Sequence, residues 1–252
     1  MTFARIVVGL LALLRGIEGY RLGARVLDPN TLKAPLIPGL TVPLEVLFII
    51  IPVWVIAAVL FTLGRWLRVS GPILTVCMFL TLLMDEQLWS NHLYLLTLEV
   101  LLLTIAGTVA RPRAGSVQAW PVALLKIQLS IVYIFAAVTK ITPTFLSGAV
   151  LFLNLRREGW LALPASVRTL PVLSALSAAT IVTEIFLAFA LWSPKYRRIG
   201  VVVGILFHLA LTLMIVPVVA VQLAVFSLSI LVLYPLYFFP VREDGEDVRL
   251  RG

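Results

Sequence analysis

Apolar residues run through this chain in blocks of about twenty, broken by short polar stretches rich in arginine, proline and tryptophan. That is the length a helix needs to cross the hydrocarbon of a bilayer. The pattern predicts eight spans, over residues 4–26, 43–63, 71–84, 91–110, 119–139, 171–192, 199–216 and 219–239. The blocks are continuous and do not alternate with period two, which excludes an outer-membrane barrel. The first is the least regular. Arg15 and Glu18 interrupt it, but they lie three apart on one helical face and can neutralise each other. The third is short. The last two are separated only by Pro217 and Val218, where proline favours a break and a single kinked helix is the alternative. Between the fifth and sixth spans, residues 141–170 are too many for a simple connector. They contain an apolar stretch, Ala149–Leu155, too short to cross, which reads as a re-entrant or interfacial helix over the outer mouth. Arg5 followed by Ile6–Leu14 has the look of a signal sequence, yet no small-residue cleavage site closes it, so it reads as a retained first span.

Composition fixes the class. With 61% hydrophobic residues, no stretch is left for a soluble domain with its own core. The expected fold is an all-α, polytopic membrane bundle over residues 1–240, followed by a short polar tail over 241–252. The net charge of +8 does not point to nucleic acid, because the basic residues sit in short loops where they set topology and meet anionic headgroups. Arg5, Arg65, Arg68, Arg111, Arg113, Lys195, Arg197, Arg198, Arg242, Arg249 and Arg251 collect on one side. Arg21, Arg25, Lys33, Lys140, Arg156, Arg157 and Arg168 collect on the other, with Asp85 and Glu86. Positive residues favour the cytoplasm, so both termini are expected inside, in a bacterial plasma membrane. Trp66, Trp120 and Trp192 fall at inner boundaries and Trp89 and Trp160 at outer ones, as an interfacial belt requires. Cys77 is the only cysteine, so no intramolecular disulfide is possible, and no His/Cys spacing suggests a metal.

Against this hydrocarbon background the polar intrusions carry the chemistry, since an ionisable group at membrane depth is costly unless paired. The strings holding Asp85, Trp89, Asn91 and His92, and Tyr133 and Lys140, are the densest of them. His92 and Glu99 are seven apart, as are Tyr133 and Lys140, so each pair points the same way from its helix. Asp85, His92 and Lys140 all fall toward the outer leaflet. Two readings of Lys140 stand side by side. It is either a snorkelling lysine at the end of a span, or a partly buried one whose neutral amine serves as a general base. His92 is correspondingly an interfacial histidine or a site residue, and Asp85 a cap or an orienting carboxylate. Glu184 and Glu99 lie near mid-membrane with Lys126 and Arg15 as conceivable partners, and His208 is a further intrusion. For Glu99 and Lys126 a packing role is favoured over catalysis.

The residues resemble a known family. LLALLRGIEGY looks like the first-helix pattern of the HTTM-type membrane domain, the transmembrane portion of vitamin K-dependent gamma-carboxylases and shorter bacterial relatives. Asp85, seven residues before His92 in Trp89-Ser90-Asn91-His92, is similar to a carboxylase stretch of the same spacing. Gln128, Ile131-Val132-Tyr133, Ala136, Lys140, Ile141, Phe145 and Gly148 resemble a second family run. Glu184, the basic loop Ser193–Gly200 and Phe207-His208 resemble a third. The resemblance implies a quinol-dependent enzyme acting at the outer leaflet, using reduced vitamin K or menaquinol with O2 and CO2. Lys140 would be the base, His92 would stabilise developing negative charge and Asp85 would orient the site. Trp89, Asn91, Tyr133, Glu184 and His208 would bind substrate, an exported peptide or a lipid. The alternative is a non-enzymatic membrane partner for the maturation, export or immunity of a secreted peptide. A transporter ranks third, as no inverted repeat or matched pair of broken spans is visible.

Overall fold

A computed structural model describes residues 1–26, 28, 30, 32, 34, 36–37, 43–109, 119–155, 164–214 and 217–238. The expected tail over 241–252, the basic residues Lys33, Arg111, Arg113, Arg156 and Arg157, and Trp160 lie outside them. Every regular element among the described residues is helical: α1 (Thr2–Val26), α2 (Leu47–Leu63), α3 (Leu67–Met84), α4 (Asn91–Val109), α5 (Ala119–Thr139), α6 (Pro143–Leu146), α7 (Ala149–Leu155), α8 (Leu170–Ala190), α9 (Arg197–Met214) and α10 (Pro217–Leu231), with 3₁₀ turns at Leu44–Val46 and Tyr234–Phe238. Residues 215–216, beside the break expected at Pro217, are outside the described ones.

By length and apolar composition, five helices can cross a membrane: Leu67–Met84, Asn91–Thr108, Trp120–Thr139, Leu170–Ala190 and Arg197–Met214. Leu47–Leu63 and Gln222–Phe238 are apolar but shorter. Helix α1 is long enough but carries Arg5, Arg15, Glu18 and Arg21. The protein is therefore an integral membrane protein built of apolar helices. The third span is longer than its sequence predicts, starting at Leu67 and not at 71. The cause is local. Gly64, in the left-handed region at φ 71°, closes α2, and α3 starts after a two-residue turn, with Ser70 Oγ donating to the Arg65 carbonyl.

The chain divides into two compact units, one built on residues 1–123 and the other on 124–240. In the first, α1 packs on α2 and α4, α2 on α3, and α3 on α4. Small residues set the approach. A Cβ on Gly9 would fall 2.3 Å from Thr62 Oγ1, and one on Gly71 would fall 2.2 Å from Thr104 Oγ1. Without a hydrophobic drive between helices in lipid, such close packing and interhelical hydrogen bonds hold the bundle. Buried Trp54 adds one bond, donating from Nε1 to the Ala12 carbonyl at 2.9 Å. Arg15 pairs with Glu18 as their spacing predicts.

In the second unit, α8 packs on α9 and α9 on α10, while α6 and α7 lie against α8. Ser130 Oγ donates to the Ala188 carbonyl at 3.1 Å and accepts from Trp192 Nε1 at 2.7 Å, fixing α5 against α8. Helices α6 and α7 have four and seven residues, too few to cross. They hinge at Gly148, φ 79°, and Ser174 Oγ donates to the Leu146 carbonyl to seat them on α8. Trp66, Trp89, Trp120 and Trp192 are all exposed and all stand at helix ends, the position an interfacial indole takes.

Candidate functional site

Lys140 follows the last residue of α5, and its side chain turns back along the helix. Its ammonium donates to the Ala136 carbonyl at 3.2 Å and to Glu184 Oε1 at 2.6 Å. Glu184 is in the middle of α8, 4% exposed. The pair is lopsided, with side-chain exposures of 29% for Lys140 and 6% for Glu184, so the lysine is its accessible member. The second carboxylate oxygen, Oε2, is buried and has no hydrogen-bond partner among the described residues. So is the hydroxyl of Ser177, two turns earlier on α8. Ala137, Phe145 and Ile181 form an apolar cluster here, with Val150 packed against it. The sequence offered Lys126 and Arg15 as partners for the mid-membrane carboxylates. For Glu184 the fold supplies Lys140 instead, while Arg15 pairs with Glu18 and the Lys126 ammonium stands 5.5 Å over the Tyr237 ring.

One heptad before Lys140, Tyr133 enters a second polar cluster. Its hydroxyl lies 2.9 Å from His208 Nε2 and 2.5 Å from the Tyr234 hydroxyl. His208 Nδ1 lies 3.1 Å from Ser227 Oγ, which is 3.4 Å from Thr212 Oγ1, and Thr212 donates to the His208 carbonyl. Counting hydrogens fixes the direction. Thr212 spends its proton on the carbonyl, so Ser227 donates to Thr212 and His208 Nδ1–H donates to Ser227. Nε2 is then the acceptor for Tyr133, and Tyr133 accepts from Tyr234. The reverse order leaves the buried Tyr234 O–H without an acceptor among the described residues. His208 is thus a neutral imidazole protonated on Nδ1, and the chain of groups closes on itself. Gly204 makes room for it, since a Cβ there would stand 2.0 Å from the Tyr234 hydroxyl.

In the first unit, Asp85 is 1% exposed and ends α3. Its carboxylate accepts from the backbone N–H of Ala34 at 3.0 Å and of Gln87 at 2.8 Å. Glu86 N–H donates to the Ala34 carbonyl, and Gln87 Nε2 to that of Leu32. Asp85 therefore pins Ala34 to the turn before α4. Trp89 stacks on Tyr94 with centroids 5.7 Å apart, and both are partly exposed. His92 Nδ1 is 3.3 Å from Ser90 Oγ, and Asn91 is exposed at the start of α4. Among the described residues, no three His, Cys, Asp or Glu side chains gather as metal ligands would.

The family model of the HTTM domain matches residues 1–241, nearly the whole chain. The chain belongs to the HTTM-domain family. No solved structure matches it. The match takes in both compact units, and so both the Asp85–His92 turn and the Lys140–Glu184 pair lie within the HTTM domain. Of the residues singled out in the sequence, the fold joins Lys140 to Glu184 and Tyr133 to His208. Asp85 it commits to the backbone of its own turn. Sequence reading missed Tyr234, Ser227, Thr212 and Ser177, which are small or aromatic residues ordinary in any apolar helix. A signal existed for one of them. Gly204 lies one turn before His208 on α9, and a glycine on that face leaves space for a large partner.

Proposed function

We propose that this HTTM domain is a quinol-dependent membrane enzyme in which Lys140 is the base. The observation that supports it most is the lopsided pair. A lysine accessible at 29%, backed by a carboxylate sealed at 6%, is suited to taking a proton from a ligand that arrives through the bilayer. The apolar side chains of Ala137, Phe145 and Ile181 beside the pair fit an apolar molecule that offers its hydroxyl to Lys140. Reduced vitamin K or menaquinol, with O2, would supply the oxidative chemistry, and CO2 the carboxyl group. Lys140 would take the hydroxyl proton and Glu184 would hold the lysine in place. Tyr133, with His208 behind it, would form a rigid polar wall. His92, Asp85, Trp89 and Asn91 would serve at the mouth, and the acceptor would be an exported peptide or a lipid. In this reading eight helices cross the membrane with both termini in the cytoplasm of a bacterium. Residues 1–240 form the domain, 241–252 a polar tail, and α6–α7 lie at the outer face.

The test is direct. The protein is purified in lipid nanodiscs and given reduced menaquinone or vitamin K under oxygen, and epoxide formation is followed beside Lys140→Ala. Epoxide from the wild type and none from the variant is the expected result. No epoxide from folded wild-type protein supplied with a candidate peptide would sink the enzyme reading. A second reading, a non-enzymatic partner for maturation, export or immunity of a secreted peptide, is favoured by Asp85, whose carboxylate is occupied by two backbone N–H groups. It predicts that Lys140→Arg is tolerated.

A further inference from the structure

Among the described residues of the second unit, the interhelical Lys140–Glu184 ion pair holds a buried oxygen without a donor. Glu184 Oε2 is buried without a donor, while Oε1 is held by Lys140. In an ionised carboxylate the negative charge is shared equally between the two oxygens, so half of it would rest on an atom with no hydrogen bond in an apolar setting. A charge in that position is far more costly than a neutral carbonyl oxygen. Among the described residues, no cation other than Lys140 itself lies near enough to offset it. Helices α6 and α7, which pack on α8, contain no titratable side chain, and Glu184 is the only one in α8. On α5, Lys126 is engaged with Tyr237 and Tyr133 with His208 and Tyr234. On α9, Arg197 donates to the Leu191 and Trp192 carbonyls, Arg198 is its neighbour at that end of the helix, and His208 is closed within its own hydrogen-bond chain.

Moving one proton relieves the mismatch without losing a contact. One N–H bond of Lys140 breaks and one O–H bond forms on Glu184 Oε1, while the electron pair stays on Nζ. Glu184 Oε1 then donates to the amine lone pair, and an amine N–H still donates to the Ala136 carbonyl, so both hydrogen bonds remain. Oε2 becomes a neutral carbonyl oxygen. The pair carries no net charge in either form, so no proton need come from the medium.

We propose that Glu184 is the internal proton acceptor of Lys140, so that the resting pair is a neutral amine and a neutral carboxylic acid. This rests on the reading of Lys140 as a base and explains how the base is available in an apolar site. Rotation about the Cε–Nζ bond presents the lone pair to a ligand hydroxyl. Once Lys140 has taken that proton, the pair bears one positive charge, which matches the oxyanion it has made. Glu184 touches the lysine and not the ligand, and is a positioning and proton-holding residue.

The proton's location has a spectroscopic signature that a merely structural salt bridge lacks. Infrared spectra are recorded at neutral pH in nanodiscs, with and without 13C-labelled glutamate. The wild type is expected to show, in its difference spectrum against Glu184→Gln, the C=O stretch of a protonated carboxyl, shifted by the label, and this difference band is the one followed below. Lys140→Arg provides the decisive arm, because arginine keeps the charge and does not give up its proton. The band should disappear there although Glu184 remains. A wild type without the band means an ionised pair and overturns the proposal. A band that survives in Lys140→Arg also overturns it, since the carboxyl would then be protonated from the medium. No quinol enters this measurement, so it can fail while epoxide forms, and succeed while none does.

Discussion

The Lys140–Glu184 pair and the Tyr133–His208 chain both tie α5 to later helices of the second unit, yet they meet the demands of a bilayer differently. The tyrosine–histidine chain consists of neutral groups. Every proton in it has an acceptor, and it ends on a backbone carbonyl. The lysine–glutamate pair is built from groups that ordinarily carry charge, and it leaves a buried oxygen open. Buried polar groups are nearly always hydrogen-bonded, so a closed network is what architecture alone requires and an open valence calls for another explanation. In the proposed reading, the difference separates a polar cluster that fixes helix packing from one open to chemistry.

The strongest way to break that contrast is to let water reach the pair. Gly148→Ala puts a side chain where φ is 79° and where a Cβ would meet Ser174 N at 2.6 Å and Leu173 C at 2.8 Å. A left-handed conformation costs a non-glycine residue about 1–2 kcal/mol, and overpacking adds about 1–3 kcal/mol. Backbone atoms cannot swing aside, so α6–α7 should lift from α8. Denaturant titration in bicelles should register the loss, and the protonated-carboxyl band should weaken as the pair becomes hydrated and ionised. Unchanged stability would mean that the hairpin is not seated as described.

The closed network is tested next. Gly204→Ala directs a methyl at the Tyr234 hydroxyl and should cost about 1–3 kcal/mol, with part of it recovered by adding Tyr234→Phe. Tyr133→Phe removes the donor to His208 and the acceptor of Tyr234 together, leaving two buried groups unpaired at about 1–2 kcal/mol. Combined with Tyr234→Phe the loss should be less than additive, since one orphan is removed. These costs are read by the same unfolding titration. If Tyr133→Phe instead abolished epoxide formation with stability intact, the network would belong to the chemistry and the contrast would collapse.

Much of this was legible in the sequence, for reasons that can be named. Helical membrane architecture follows from apolar blocks that must satisfy their own backbone, which no tertiary contact can override. The Arg15–Glu18 pair was legible because both residues share one helix, where spacing alone fixes the geometry. The short helix over Ala149–Leu155 was legible from the length of its apolar stretch, whereas the single turn of α6 before it was not. The start of α3 was not, because a two-residue turn after Gly64 leaves no compositional mark. Nor was the partner of Glu184. Residues 140 and 184 meet only because α5 and α8 pack at a particular register, and a lysine at a helix end reads equally well as an anchor. Tyr234 was invisible for the same reason, since its role depends on α9 offering Gly204 at the right level.

Asp85 supplies the smallest effect and the finest discrimination. Its two oxygens accept from Ala34 and Gln87, so Asp85→Asn keeps one acceptor and puts an NH2 group opposite the other N–H. One hydrogen bond of two is lost, at about 1 kcal/mol. Amide exchange should then accelerate at residue 34 or residue 87, with the lysine–glutamate pair and its infrared band untouched. A carboxylate that orients a reacting centre behaves otherwise. The substitution would then slow turnover strongly while exchange at both amides stayed as in the wild type. The contrast drawn in the second unit predicts the first outcome, because each oxygen of Asp85 already accepts from a backbone N–H.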